Sequence, residues 1–148
     1  MIIEVRTKGK YAENEEPGFI GRMAHAGLKV KAARLSRLYR VEADFGRAEF
    51  DRLGAELLTD PVTETYSLGR PKAGIKGWRV EVWLKDSVTD VVGESVKGAI
   101  SDVLGKEPKT VRFGRAYYVA CDSELKLKRA VAGTLVNETV NKFGIEKI

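Results

Sequence analysis

The sequence predicts an α+β protein built from two copies of one small unit, each with the order β-α-β-β-α-β. Three observations carry this. First, Lys31-Ala-Ala-Arg34-Leu-Ser36-Arg37-Leu-Tyr39-Arg-Val41-Glu-Ala-Asp44 returns as Lys109-Thr-Val-Arg112-Phe-Gly114-Arg115-Ala-Tyr117-Tyr-Val119-Ala-Cys-Asp122. Second, the flanks repeat as well. Ile3-Glu-Val5-Arg-Thr-Lys8 matches Val80-Glu-Val82-Trp-Leu-Lys85, and Leu57-Leu58-Thr-Asp60 with Tyr66-Ser-Leu68 matches Thr134-Leu135-Val-Asn137 with Phe143-Gly-Ile145. Third, apolar periodicity switches between two and about 3.6 in the same order in both halves. The repeat slips by one residue inside the helix before Leu57. The units are residues 1–68 and 78–148, joined by a linker at 69–77.

In the first unit, Ile3, Val5 and Thr7 share one strand face, and Glu4, Arg6 and Lys8 the other. Residues 9–16 are polar and read as a loop. Pro17 suits the first turn of a helix that carries Phe19, Ile20, Met23 and Ala24. Residues 30–43 are strand-like and interrupted at Ser36, which leaves a turn or a bulge open there. Asp44 is a candidate N-cap for a helix whose apolar face is Phe50, Leu53, Leu57 and Leu58. Asp60-Pro61 ends that helix, because proline restricts the residue before it. Residues 62–68 form the closing strand.

The linker has glycines at 69 and 74 and a lysine at 76, close to a phosphate loop. It lacks the hydroxyl residue after the lysine, and a strand follows where a phosphate loop needs a helix N-terminus. It is therefore not read as one. In the second unit, Val80, Val82 and Leu84 are the buried face of the first strand. Asp90 caps a helix with Val92, Val96, Ala99, Ile100 and Val103 inward, and Gly105 ends it. A strand interrupted at Gly114 runs to Ala120. Asp122 is a candidate cap for a helix carrying Leu127, Val131 and Leu135, and Phe143 and Ile145 lie in the final strand. This order is the ferredoxin-like, split βαβ arrangement. It leaves one sheet face open in each unit, and the other unit is the expected cover.

The composition is 43% hydrophobic and 32% charged, which is that of a soluble globular chain. No apolar run is long enough to span a bilayer and no signal peptide is recognisable, so cytoplasmic location and no membrane partner are expected. One cysteine, Cys121, excludes an internal disulfide. A net charge of +5 permits nucleic acid as a partner, but acids and bases are interspersed, and no nucleic-acid partner is expected.

Catalytic groups are sparse. His25 and Cys121, each the only one of its kind, cannot build a four-ligand zinc site, and both are read as structural. No metal, cofactor or catalytic constellation is expected. The candidate functional residues are instead contact residues: Arg34, Arg37, Tyr39, Trp83, Lys85, Arg112, Arg115 and Tyr117, since arginine and aromatics are enriched at interfaces. Trp83 lies on the polar side of its strand, so a contact with the other unit, another chain or a partner is expected. An RNA platform on the sheet is the alternative, but Arg112-Phe-Gly-Arg-Ala-Tyr-Tyr-Val departs from the RNA-binding consensus.

These residues also carry a resemblance. The strand Val80-Glu-Val82-Trp-Leu-Lys85, the helix start Asp90-Val-Val-Gly93-Glu94-Ser-Val96-Lys97-Gly-Ala99-Ile100 and the stretch Val111-Arg112-Phe-Gly114-Arg115 are similar to the V-x-V-x-x-K, D-x-x-G-x-x-V-x-x-A-L and V-R-x-G-K/R patterns of the PurS family. PurS is the small subunit of phosphoribosylformylglycinamidine synthase. The first unit resembles the family's ending, through Leu57-Leu58-Thr-Asp60-Pro61-Val62 and Tyr66. It lacks the D-x-x-G start, and the second unit has Asn137-Glu138 where the family has Asn-Pro. The resemblance implies a non-catalytic subunit without a cofactor. Its implied partners are an ATP-dependent ligase (PurL-type) and a glutaminase (PurQ-type), between which it bridges for ammonia delivery, with self-association besides. A tandem chain resembles a PurS dimer made covalent, or the PurS-like N-terminal region of a large single-chain synthase. A small-molecule-sensing or RNA-binding module with the same sheet is the other functional class.

Overall fold

A computed structural model describes residues 1–12, 15–72 and 74–148. Parts of the expected loop at 9–16 and of the linker at 69–77, namely residues 13–14 and 73, lie outside the described residues. The elements run β1 (Ile2–Thr7), α1 (Glu15–His25), β2 (Ala32–Glu42), α2 (Arg47–Arg52), β3 (Glu64–Leu68), β4 (Trp78–Leu84), α3 (Val91–Leu104), β5 (Thr110–Ala120), α4 (Glu124–Thr134) and β6 (Asn141–Lys147). The class is α+β, as the sequence predicts, with an antiparallel sheet and helices on one face.

The six strands form one sheet in the order β3-β1-β2-β5-β4-β6, all neighbours antiparallel. Read from either edge inward, the order is third, first, second strand of a unit. The two units meet at their second strands along eleven residue pairs, from Ala32 opposite Ala120 to Glu42 opposite Thr110. Arg37 stands directly opposite Arg115, and these two are equivalent positions of the repeat. A pseudo-two-fold axis therefore passes through this pair.

Two details differ from the sequence reading. Ser36 and Gly114 are neither turn nor bulge. β2 and β5 are each an uninterrupted eleven-residue strand, so the two middle strands of each ferredoxin-like unit run as one. The physical reason is the partner strand: each supplies the other with an unbroken ladder along its whole length, which satisfies the backbone without a turn. Consequently the units join edge to edge, and neither covers the open face of the other.

The helices are exchanged between units. One core gathers Ile3, Val5, Tyr39 and Val41 of β1 and β2 with Phe50 of α2, with Leu53 just after it, and with Ile100 of α3 from the second half. The other gathers Val80, Val82, Tyr117 and Val119 of β4 and β5 with Leu127, Ala130 and Val131 of α4, and with Phe19 and Met23 of α1 from the first half. The facing pairs Ile3–Tyr39, Val41–Val111, Ala33–Val119 and Val80–Tyr117 place both cores on the same sheet face. Each core thus takes one helix from each half.

Local chemistry sets the helix positions. Asp90 is buried and caps α3, accepting from the Gly93 amide at 2.8 Å while its second oxygen takes the Phe113 amide of β5 at 2.7 Å. A Cβ on Gly93 would stand 2.3 Å from the Val111 carbonyl oxygen. The D-x-x-G pattern is therefore a docking device that presses the start of α3 onto β5. Gly105 ends α3 in the left-handed conformation, φ 67°. Two caps are corrected. Gly46 precedes α2 in place of Asp44, with Glu49 returning to its amide, and Ser123 caps α4 in place of Asp122, which pairs with Lys31.

α2 continues through a π-helical turn, Leu53–Leu58. A π-turn holds one more residue than an α-turn, and the first unit has one residue more here than the second. The slip in the sequence repeat is this turn.

The face without helices is closed by its own side chains. Glu4 of β1 and Arg79 of β4 are 1% and 2% exposed and pair across the unit boundary at 2.9 Å. That approach lies off the hydrogen-bonding direction, so Glu4 Oε1 is held by charge alone, whereas Oε2 accepts from Ser36, Tyr118 and Arg79. Burial pushes the Tyr118 hydroxyl well above the usual tyrosine range, with the Glu4 carboxylate adding to it. Burial works against the Arg79 charge, but Glu4 and Glu81 outweigh it and hold the guanidinium more firmly protonated than usual. Ile75 of the linker packs against this layer, beside Leu38, Trp83 and Ala116.

Because removing one partner strands a buried charge, Glu4→Gln or Arg79→Met alone costs about 3–5 kcal/mol in urea unfolding, and the double variant costs clearly less than the sum of the two. Additive losses would show that the pair does not join the halves.

Candidate functional site

The eight candidate residues separate by position. Tyr39 and Tyr117 are interior, each 7% exposed: Tyr39 meets Phe113 at 5.4 Å between ring centroids, and Tyr117 stacks on Phe19 of α1 at 5.2 Å. Trp83 is also 7% exposed. Its ring lies across Gly114, where a Cβ would come within 2.5 Å of it, and its indole N–H donates to Glu81 at 3.0 Å. Arg40 of the first half stacks on the ring, 4.4 Å from the centroid. The contact expected of Trp83 is thus made with the other unit. These three aromatics are interior side chains rather than surface ones: helices cover Tyr39 and Tyr117, and Arg40 with the side chains of the helix-free face covers Trp83.

Arg112 has a structural task. It donates to the carbonyls of Leu84, Lys85 and Val88, at 3.3, 2.9 and 3.4 Å, and so ties the loop after β4 to β5. Arg34 is exposed and pairs with Glu16 at 2.9 Å. Lys85 is half-buried, and its backbone N–H donates to Val140 at 2.8 Å. Cys121 is half-buried against the second core, and burial pushes its thiol up, away from nucleophilic use. His25 is exposed at the end of α1.

Arg37 and Arg115 remain, and they sit together on the axis, on the helix-bearing face. Like charges directly opposite on a sheet repel. Arg37 is neutralised: it grips Glu64 of β3 through both terminal guanidinium nitrogens and also donates to the Leu58 carbonyl. The Arg37 bond, aided by the Asp60 amide, holds the Glu64 carboxyl below the usual range, and the carboxylate in turn raises Arg37. In the second unit the place of Glu64 is taken by Asn141. Thr7 faces Glu64 as Leu84 faces Asn141. Arg115 is exposed, lies 5.7 Å from the Phe113 ring centroid and has no ion pair among the described residues. Around the axis two cavities open, one of about 290 Å³ beside Arg37, Glu15 and Leu35, and one of about 390 Å³ beside Arg22, Phe113, Leu135 and Asn141. Arg115 lines both.

Sequence reading singled out Arg37 and Arg115 but missed their juxtaposition. The signal was present, since equivalent residues of a two-fold repeat meet only on its axis. It also missed Glu64 and Asn141, whose difference between the units decides which arginine is neutralised.

Fold and geometry define the class: a tandem, pseudo-symmetric α+β protein of exchanged ferredoxin-like units with an arginine pair on its axis. Residues 78–148 match the family described as PurS, phosphoribosylformylglycinamidine (FGAM) synthase. The second half of the chain is accordingly similar to that family. Among solved structures, the purS subunit of phosphoribosylformylglycinamidine synthase from Thermotoga maritima is similar at 22% identity, over 49% of this chain and 91% of that one, with a TM-score of 0.41. The comparison with curated proteins gave no match. No helix among the described residues is long and apolar enough to cross a membrane.

The Arg37–Glu64 pair gives a pH signature. A carboxyl whose folded pKa is lowered contributes stability above its unfolded pKa, and that contribution is lost as pH falls through the folded value. Glu64→Gln therefore lowers the urea midpoint near pH 7, and the gap to wild type closes as pH falls from about 5 to about 3. A gap that stays constant over this range would mean the ion pair contributes nothing.

Proposed function

We propose that this chain is a non-catalytic, PurS-type subunit of phosphoribosylformylglycinamidine synthase that bridges an ATP-dependent ligase and a glutaminase in the cytoplasm and supports ammonia transfer between them. The observation that carries the reading is the family match over residues 78–148. The two-fold arrangement of both halves agrees with it, since a bridge needs a rigid body with paired outer surfaces. Joining the units covalently keeps both copies present at any dilution. Arg34 and Lys85, which reach the surface, are the outward contacts in this reading. The RNA-platform reading needs exposed aromatics on the open sheet face for bases to stack on. Trp83 and Tyr118 there are 7% and 2% exposed, which removes that support.

The test mixes the chain with ligase and glutaminase subunits from the same source. With free ammonia as donor, amidine formation proceeds without the chain. With glutamine as donor it requires the chain, and Lys85→Glu or Arg34→Glu reduces it several-fold while the far-ultraviolet spectrum is kept. Equal glutamine-dependent rates with and without the chain would end this reading.

A further inference from the structure

We propose that the cavity beside Arg115 binds a small molecule carrying a phosphate group. It is about 390 Å³ and is lined by Arg22 from α1, Arg115 from β5 and Asn141 from β6, with Leu84, Phe113 and Leu135 among its walls. No carboxylate lines it, so every formal charge facing the space is positive. The Asn141 side-chain oxygen already accepts from the Asn137 amide at 3.0 Å, which leaves its NH2 as the free group, a donor. The polar side chains that line it are two guanidinium groups, the Asn141 amide donor and the Tyr117 hydroxyl, with the Thr134 hydroxyl donating to the Ala130 carbonyl and the Trp83 N–H to Glu81, beside apolar walls that strengthen their field. Such a set matches an oxyanion, and two guanidinium groups suit a doubly charged phosphate better than a single carboxylate. The volume exceeds what a bare ion needs and lies in the range of small-molecule sites.

The comparison between the units strengthens the point. At the equivalent place in the first unit, Glu64 occupies Arg37 and closes it to an anion. In the second unit asparagine has replaced the acid, which frees the guanidinium without removing the strand that positions it. Glu15 lies in the adjoining cavity, where it accepts from the Thr7 hydroxyl at 2.9 Å and makes no ion pair with Arg115 among the described residues. The inference concerns the isolated chain and stands apart from the bridging role.

Calorimetric titration of the full chain at about physiological salt, where non-specific charge effects are screened, tests it. The probes are ribose 5-phosphate, inorganic phosphate, ribose and succinate. The expected result is saturable one-to-one binding of ribose 5-phosphate, weaker binding of inorganic phosphate, and none of ribose. Arg115→Gln and Arg22→Gln each weaken the ribose 5-phosphate affinity at least tenfold, whereas Arg129→Gln, an exposed arginine on α4 outside the cavity, leaves it unchanged. Both cavity arginines are exposed, so the variants keep the wild-type thermal midpoint within a few degrees, which confirms that they are folded. Absence of binding, equal binding of succinate, or equal loss in all three variants would overturn the proposal.

Discussion

The ladder between β2 and β5 is the constraint on which the rest of the structure depends. Its eleven pairs fix the register of the two halves and leave only β3 and β6 as sheet edges. Once the register is set, Arg37 must face Arg115, and Glu4 must reach Arg79 across two intervening strands. The helix exchange follows the same geometry. α1 lies against β2 and joins the core of β4 and β5, while α3 lies against β5 and joins the core of β1 and β2. A unit of about 70 residues buries too little surface to be secure alone. Sharing strands and helices gives one chain two adequate cores.

Much of this was legible in the sequence because it rests on local rules. The strand alternation at Ile3–Val5 and Val80–Val82, the Asp90 cap, the Gly105 stop and the end at Asp60-Pro61 are all set by short-range chemistry. Within each strand the repeat register held to the residue, and its slip inside the helix became the π-turn at Leu53–Leu58. The missing parts were long-range. A glycine in a strand can mark a bulge or a close neighbour, and only the tertiary structure shows that Gly114 makes room for the Trp83 ring. Likewise, Tyr39 and Tyr117 read as surface aromatics until helices from the opposite half are placed on them.

The places where the units differ are as informative as those where they agree. Arg6 stands where the second unit has Trp83, and Trp83 is the one that stacks with an arginine of the opposite unit. The D-x-x-G start survives in the second unit, where it holds α3 against β5. Glu64 gives way to Asn141, which breaks the symmetry of charge on the axis without disturbing the backbone. Both halves keep the same strand and helix scaffold, while the charge at its centre is one-sided.

The central claim is that the two halves fold as one interleaved body. Native-state hydrogen exchange at increasing urea reads this directly, because it resolves the free energy of each opening reaction. If the claim holds, the most protected amides of β1 and β2 and those of β4 and β5 exchange through the same opening, with equal free energies and equal urea dependence. Exchange of one half through a distinct opening of lower energy, while the other stays protected, would contradict it.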